Sequence, residues 1–298
     1  MLVGLWLCSA NGWAISVYPA EGQTVDSFNT GPSLFTGVAW LAMGSTRCSG
    51  SLLWTGAHVL TAAHCLEAVQ DPSGVEATFT YTGGTLTASG ADIFIPDEWI
   101  TGHLENGWDW AVLTLTTAVI DPLIERYYIN EDPAGDFGLI DVVGYGRGGT
   151  GATGETSGSG TRRWGQNEAE GSLPGAGLGG SATLLFDFDG AGINSLPAAY
   201  GIPSSSGLGP GEEVSLMSGD SGGPSFRNGK IVGIHSGVAL YGTTMGLYGD
   251  ISLDTRVSSY AGQIDDLLAA EPGTEGLVGV GLLLMLLILK RARRHSAV

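Results

Sequence analysis

Three short segments carry residue types able to cut an acyl bond, and they stand in the order His, Asp, Ser. His64 lies in Thr61-Ala62-Ala63-His64-Cys65, Asp109 in Gly107-Trp108-Asp109-Trp110-Ala111, and Ser221 in Gly219-Asp220-Ser221-Gly222-Gly223-Pro224. A serine hydroxyl is a poor nucleophile at neutral pH and needs a base beside it. An imidazole titrates near neutrality, so His64 could take the Ser221 proton and return it to a leaving amine. A carboxylate on the other ring nitrogen, here Asp109, would fix the tautomer and stabilise the imidazolium. The backbone N–H groups of Gly219 and Ser221, aimed at one spot, would form an oxyanion hole. Gly222 and Gly223 would let backbone pass close to the nucleophile. Singly, such residues mean little. A lone His is usually structural, as His58, His103 and His295 are read. A lone Asp before a strand is usually a turn residue, as at Asp92 and Asp121.

The elements that must position these residues read as strands. Short apolar or alternating runs recur between Gly, Pro, Asn and Asp clusters: 38–43, 51–54, 59–62, 75–81, 111–115, 140–143 and 231–234. That spacing favours an all-β sandwich or barrel. Gly makes up 50 of 298 residues, which suits many turns better than helices. The Gly-rich stretch 144–180 predicts long loops between two halves. Val257, Tyr260, Ala261, Ile264, Leu267 and Leu268 recur at helical spacing and predict an amphipathic helix over 255–270.

Charge and cysteine usage narrow the setting. The net charge is −18, and four of the 12 Lys and Arg residues sit in the tail at Lys290, Arg291, Arg293 and Arg294. So acidic a surface repels phosphate backbones, and no nucleic-acid partner is expected. Cys8 falls in an apolar leader, leaving Cys48 and Cys65; without CxxC spacing or a His cluster they argue for a disulfide over zinc. No metal or other cofactor is expected. Asp187 and Asp189 alternate, but two acids are too few for calcium.

The ends read as addresses. Residues 1–14 fit a signal peptide, with the apolar run Leu2–Leu7 before Gly12-Trp13-Ala14. Gly276–Leu289 is uncharged and followed by Lys-Arg-Ala-Arg-Arg. As a helix it would span roughly 21 Å of a core about 30 Å thick, with Lys290 and Arg291 snorkelling. A separate membrane helix within 271–298 is expected after a domain over 15–270.

The TAAHC and GDSGGP segments resemble the trypsin/chymotrypsin-like serine proteases, and the resemblance covers about residues 35–268. It implies two packed six-stranded antiparallel β-barrels with a C-terminal helix, and a serine endopeptidase acting on protein or peptide substrates through His64, Asp109 and Ser221. It also implies a disulfide between Cys48 and Cys65, and a pocket involving Ser215, Ser218, His235, Ser236 and Val238, with Ser236 beside Asp109. Ser215 at the pocket floor argues against a simple Lys/Arg preference. His235 resembles the histidine of glutamate-specific relatives, whereas Asp250 or Asp254 in the pocket would favour basic residues. In the animal enzymes the residue matching Asp220 pairs with an ammonium freed by cleavage; no IVGG-type segment precedes Val38, and Ile15 is a candidate terminus. The tail resembles a PEP-CTERM sorting signal, with Ala270 where the motif's first proline stands. It implies an exosortase-like processing enzyme and a secreted or surface-anchored protein of a Gram-negative bacterium. Two other classes compete: a binding module on a dead protease scaffold, and an esterase, for which the GxSxG strand–turn–helix context is missing.

Overall fold

The computed structural model describes residues 5–6, 15–175 and 181–270. Apart from the backbone of 5–6, the expected leader 1–14 lies outside them, as do the expected membrane helix and sorting signal of 271–298. Among the described residues no helix is long and apolar enough to cross a membrane. The chain divides into a unit ending at Ala261 and a second beginning at Gly262.

The expected all-β class is found, with one closed barrel. Its strands are β1 (Val38–Met43), β2 (Thr46–Leu52), β3 (His58–Thr61), β4 (Val75–Tyr81), β5 (Gly84–Phe94) and β6 (Ala111–Leu115). They close in the order β1-β2-β3-β6-β5-β4, with β1 bonded to both β2 and β4. Gly44, in the two-residue turn between β1 and β2, takes a φ of 58°, a conformation glycine adopts at no steric cost. Leu41, Leu52, Leu60, Phe79 and Leu113 are fully buried. Each such side chain contributes about 1.5–3 kcal/mol by leaving water.

The second half is an open sheet, a half-barrel. Its strands are β7 (Gly138–Gly144), β8 (Arg163–Ala169), β9 (Gly171–Pro174), β10 (Ser181–Asp187), β11 (Pro224–Arg227), β12 (Lys230–Ala239) and β13 (Ile251–Arg256). The order is β8-β7-β11-β12-β13-β10-β9, and Leu5–Trp6 and Tyr128–Ile129 both add to β12. The apolar strand β10 is buried on both faces. Leu184 and Phe186 join Val142, Val214 and Val232 in one cluster, while Leu185 packs with Leu196, Ala239 and Ile251 in another.

Two packed closed antiparallel barrels were the expectation, and this half departs from it. Its edge strands β8 and β9 follow one another in the chain yet do not pair, and Tyr128–Ile129 joins β12 in parallel. Both outer edges are spent otherwise. On the β8 side Gln166 bridges Glu213, and β9 ends in a register shift at Pro174, which has no N–H to donate. A barrel closed on one side of an open β half is compatible with a chymotrypsin-like fold.

Two further expectations need correction. The Gly-rich stretch 144–180 is not all loop, because β8 and β9 lie in it; β8 alternates buried and half-buried positions as a strand should. The late helix is shorter than its apolar periodicity suggested. Thr255 and Arg256 finish β13, Val257–Ser259 form a 3₁₀ turn, and helix spans only Ala261–Ala270.

Candidate active site

His64 sits on α1 (Ala63–Leu66), a single helical turn directly after β3. The disulfide Cys48–Cys65, with its Cα atoms 6.3 Å apart, ties that turn to β2. Cys48, His64 and Cys65 place potential ligand atoms within 4.8 Å of one another. Both sulfurs are spent in the disulfide, so no thiolate remains to hold a metal.

Asp109 stands just before β6 and is fully buried. Its position is set from both halves of the fold. The Thr255 hydroxyl of β13 donates to its carbonyl at 2.9 Å, and the Tyr260 hydroxyl donates to the carbonyl of Gly107. Gly107 takes a φ of 78°, and a Cβ there would lie 2.3 Å from the Ala182 Cβ, so glycine is required. The carboxylate receives the His64 backbone N–H at 2.9 Å on Oδ1. On Oδ2 it meets the His64 Nδ1 at 2.7 Å and the Ser236 hydroxyl at 2.5 Å. A carboxylate can only accept, so Nδ1 carries the proton, and in the neutral ring Nε2 keeps its lone pair. The Cys65 Sγ lies 3.9 Å from Nε2, but as a disulfide sulfur it has no proton to donate to that lone pair.

The electrostatics favour a basic imidazole. Burial of the His64 ring lowers its pKa, but the charge and hydrogen bond of Asp109, helped by Glu67, outweigh that, and the net shift is upward from 6.5.

Ser221 occupies the turn ahead of β11 and is nearly buried. Gly219 and Gly222 take φ of 90° and 78°. The turn uses the N–H groups of Asp220, Gly222 and Gly223 to bond the carbonyls of Met217, His235 and Asp220. Those of Gly219 and Ser221, the pair expected to form the oxyanion hole, take no part in this bonding. Ser49 of β2 fastens the turn to the barrel: its N–H donates to the Ser221 carbonyl at 2.8 Å, and its hydroxyl to the Gly219 carbonyl at 3.1 Å. At Gly222 a Cβ would fall 2.0 Å from the Thr61 Oγ1 and 2.9 Å from the Ala62 nitrogen. The serine turn therefore lies flat against the segment that runs into His64. Asp220 is fully buried and accepts from the backbone N–H of Met217 and Gly146 at 3.0 and 3.2 Å. Burial pushes its carboxyl well above the ordinary range. Ile15 is fully buried, and Ser16–Val17 form a strand between Gly149–Thr150 and Val214–Ser215.

Of the expected pocket residues, His235, Ser236 and Val238 line a cavity together with Ser221. Ser236 is beside Asp109, as expected. Ser215 and Ser218 do not line it. The Ser215 hydroxyl is fully buried and shares a 3.0 Å hydrogen bond with that of Ser252, while the Ser218 hydroxyl lies 3.4 Å from the Met245 sulfur. Asp254 is 2.9 Å from His235 Nδ1, and Asp250 accepts the N–H groups of Tyr241 and Gly246. Neither acid lines this cavity.

Ser49 and Thr255 were missed from the sequence. Neither carries a motif, and each matters only because strands distant in the chain meet here. No family model matches the chain.

Proposed function

We propose that this chain is a serine endopeptidase of the trypsin/chymotrypsin type, hydrolysing peptide bonds with Ser221 as nucleophile and His64 as base. The observation carrying this reading is the fully buried Asp109, which grips both the backbone and the Nδ1 of His64 while the Ser236 hydroxyl donates to the same Oδ2 that holds Nδ1. That grip leaves Nε2 as the working nitrogen. Ser221 attacks the scissile carbonyl as Nε2 takes its proton. The negative oxygen that forms is held by the N–H groups of Gly219 and Ser221, each such donor being worth about 3 kcal/mol in the transition state. His64 then protonates the departing amine, leaving an acyl-enzyme. Water, activated by the same nitrogen, releases the second product and restores Ser221.

A peptide substrate is favoured over a small ester by the edge of β12. Leu5 and Trp6 pair there antiparallel with Ala239 and Val238, beside the cavity that Ser221 lines. An extended chain therefore finds backbone partners next to the nucleophile, the mode by which strand addition binds peptides. The disulfide supports an oxidising, secretory setting. We place the protein outside the cytoplasm, held at the membrane by the basic-ended apolar tail until an exosortase-like enzyme processes it.

Hydrolysis of an unfolded protein substrate tests the reading. Activity is expected in the wild type, with a loss of about 10⁶-fold in Ser221→Ala. Equal rates in the two would overturn it.

A further inference from the structure

A cavity of about 350 Å³ opens beside the far end of β12, against Ala239 and Tyr241, and no residue lining it carries a charge. That volume holds a large side chain. Three lining side chains converge on Gly249. A Cβ there would lie 2.6 Å from the Tyr241 Cγ and 3.0 Å from both the Ile193 Cγ2 and the Ser195 Oγ. Ser195 is 4% exposed, and its hydroxyl has no hydrogen-bond partner among the described residues. A buried hydroxyl left unpaired costs free energy that a bound polar group can recover. Two buried carboxylates brace the walls. Asp250 accepts the N–H groups of Tyr241 and Gly246, and Asp187 accepts those of Ser195 and Leu196.

Strand register connects this cavity to the substrate edge. The backbone of Leu5 pairs with Ala239 and that of Trp6 with Val238, the arrangement an extended peptide would take on β12. Cross-strand partners share one face of a sheet. Val238 turns to the cluster that holds Leu184 and Phe186, whereas Ala239 belongs to the opposite cluster with Leu196 and Ile251, and it lines the cavity. A peptide residue opposite Ala239 therefore puts its side chain on the cavity's face. Ser236 touches Asp109 and lines the same space as Ser221, so the residue opposite Ser236 stands immediately before the scissile bond. Counted back one for one along the strand, Ala239 faces the fourth residue before that bond.

We infer that this cavity is a second recognition site for the substrate, taking a tyrosine side chain from the fourth residue before the scissile bond; this rests on the hydrolase reading above. The ring fills the uncharged space and its hydroxyl pairs with that of Ser195. The test uses four fluorogenic peptides identical except for Tyr, Phe, Ala or Glu at that position, on enzyme whose Ser221 has first been titrated with a fluorophosphonate. The Tyr peptide is expected to exceed the Ala and Glu peptides in kcat/KM by at least about tenfold, and the Phe peptide by at least about threefold. Ser195→Ala should bring the Tyr/Phe ratio close to one. Ala199→Trp, at an exposed position on the cavity's rim, should fill the space and bring the Tyr/Ala ratio close to one. Titrated enzyme that is indifferent to this position, or that keeps its Tyr preference in both variants, overturns the assignment and leaves the nucleophile intact. Absence of titratable Ser221 instead overturns the hydrolase reading itself.

Discussion

At the scale of single residues, Asp109 decides how His64 behaves. Its Oδ2 meets both Nδ1 and the Ser236 hydroxyl, and its Oδ1 takes a backbone N–H, so the carboxylate cannot rotate without losing a partner. Because Asp109 raises the His64 pKa above 6.5, and catalysis needs the neutral imidazole, the acid limb of kcat/KM should lie above that value. Activity should fall as the pH drops through it. Asp109→Asn removes the charge and presents a donor to Nδ1, so the limb should move down and kcat/KM fall by about 10⁴-fold. A pH profile of both proteins checks this; a wild-type limb well below 6.5 would contradict it. The pairing of His64 with Asp109 was legible in the sequence because each lies in a short segment whose neighbours are themselves constrained. Gly107, Gly219 and Gly222 all have positive φ. The pocket was less legible, since Ser215 and Ser218 are near Ser221 in the chain but turn to Ser252 and Met245 instead.

At the scale of elements, the site depends on one helical turn and one loop held against β2. The disulfide closes a short loop, 17 residues in sequence separation, between β2 and α1. A crosslink of that size contributes about 3 kcal/mol. The double variant Cys48→Ala/Cys65→Ala should therefore melt on the order of 10 °C lower, measured by calorimetry. Its kcat should drop more than its KM rises, because the turn holding His64 loosens while the peptide-binding edge of β12 is untouched. An unchanged melting temperature would refute this. Strands with a continuous or alternating apolar pattern, such as β1, β6 and β4, were readable from sequence. Strands β8 and β9 were hidden among glycines and polar residues, because their burial comes from neighbours brought in by the fold. The helix begins several residues later than its spacing suggested, since Val257 and Tyr260 continue the apolar periodicity while standing in and just after a 3₁₀ turn.

At the scale of the whole molecule, acidity is partly built into the interior. Glu170, Asp187, Asp189 and Glu213 come together around the segment 205–213, where Glu213 accepts the N–H groups of Asp189, Leu208 and Gly209. Burial, reinforced by the neighbouring carboxylates, pushes Asp189 up to about 8 and Glu170 and Glu213 to about 7. These groups hold protons in the folded state that an unfolded chain gives up near pH 4. Stability is therefore greatest on the acid side and declines as the pH rises towards 8. The net charge of −18 acts in the same direction. The melting temperature should fall on the order of 5 °C between pH 5 and 8.5, and Asp189→Asn should flatten that slope; a melting temperature that climbs over this range would contradict it. The sequence showed Asp187 and Asp189 as an isolated pair, and only the fold brings Glu170 and Glu213 to them. The open second half was equally unreadable, since closure depends on which edges find partners. The most direct measurement of the central claim is mass spectrometry after treatment with a fluorophosphonate. One adduct on Ser221 is predicted, forming faster as the pH rises through the His64 titration and absent in His64→Ala over the same time. Folded protein with no adduct, or with adduct on another serine, would contradict the account.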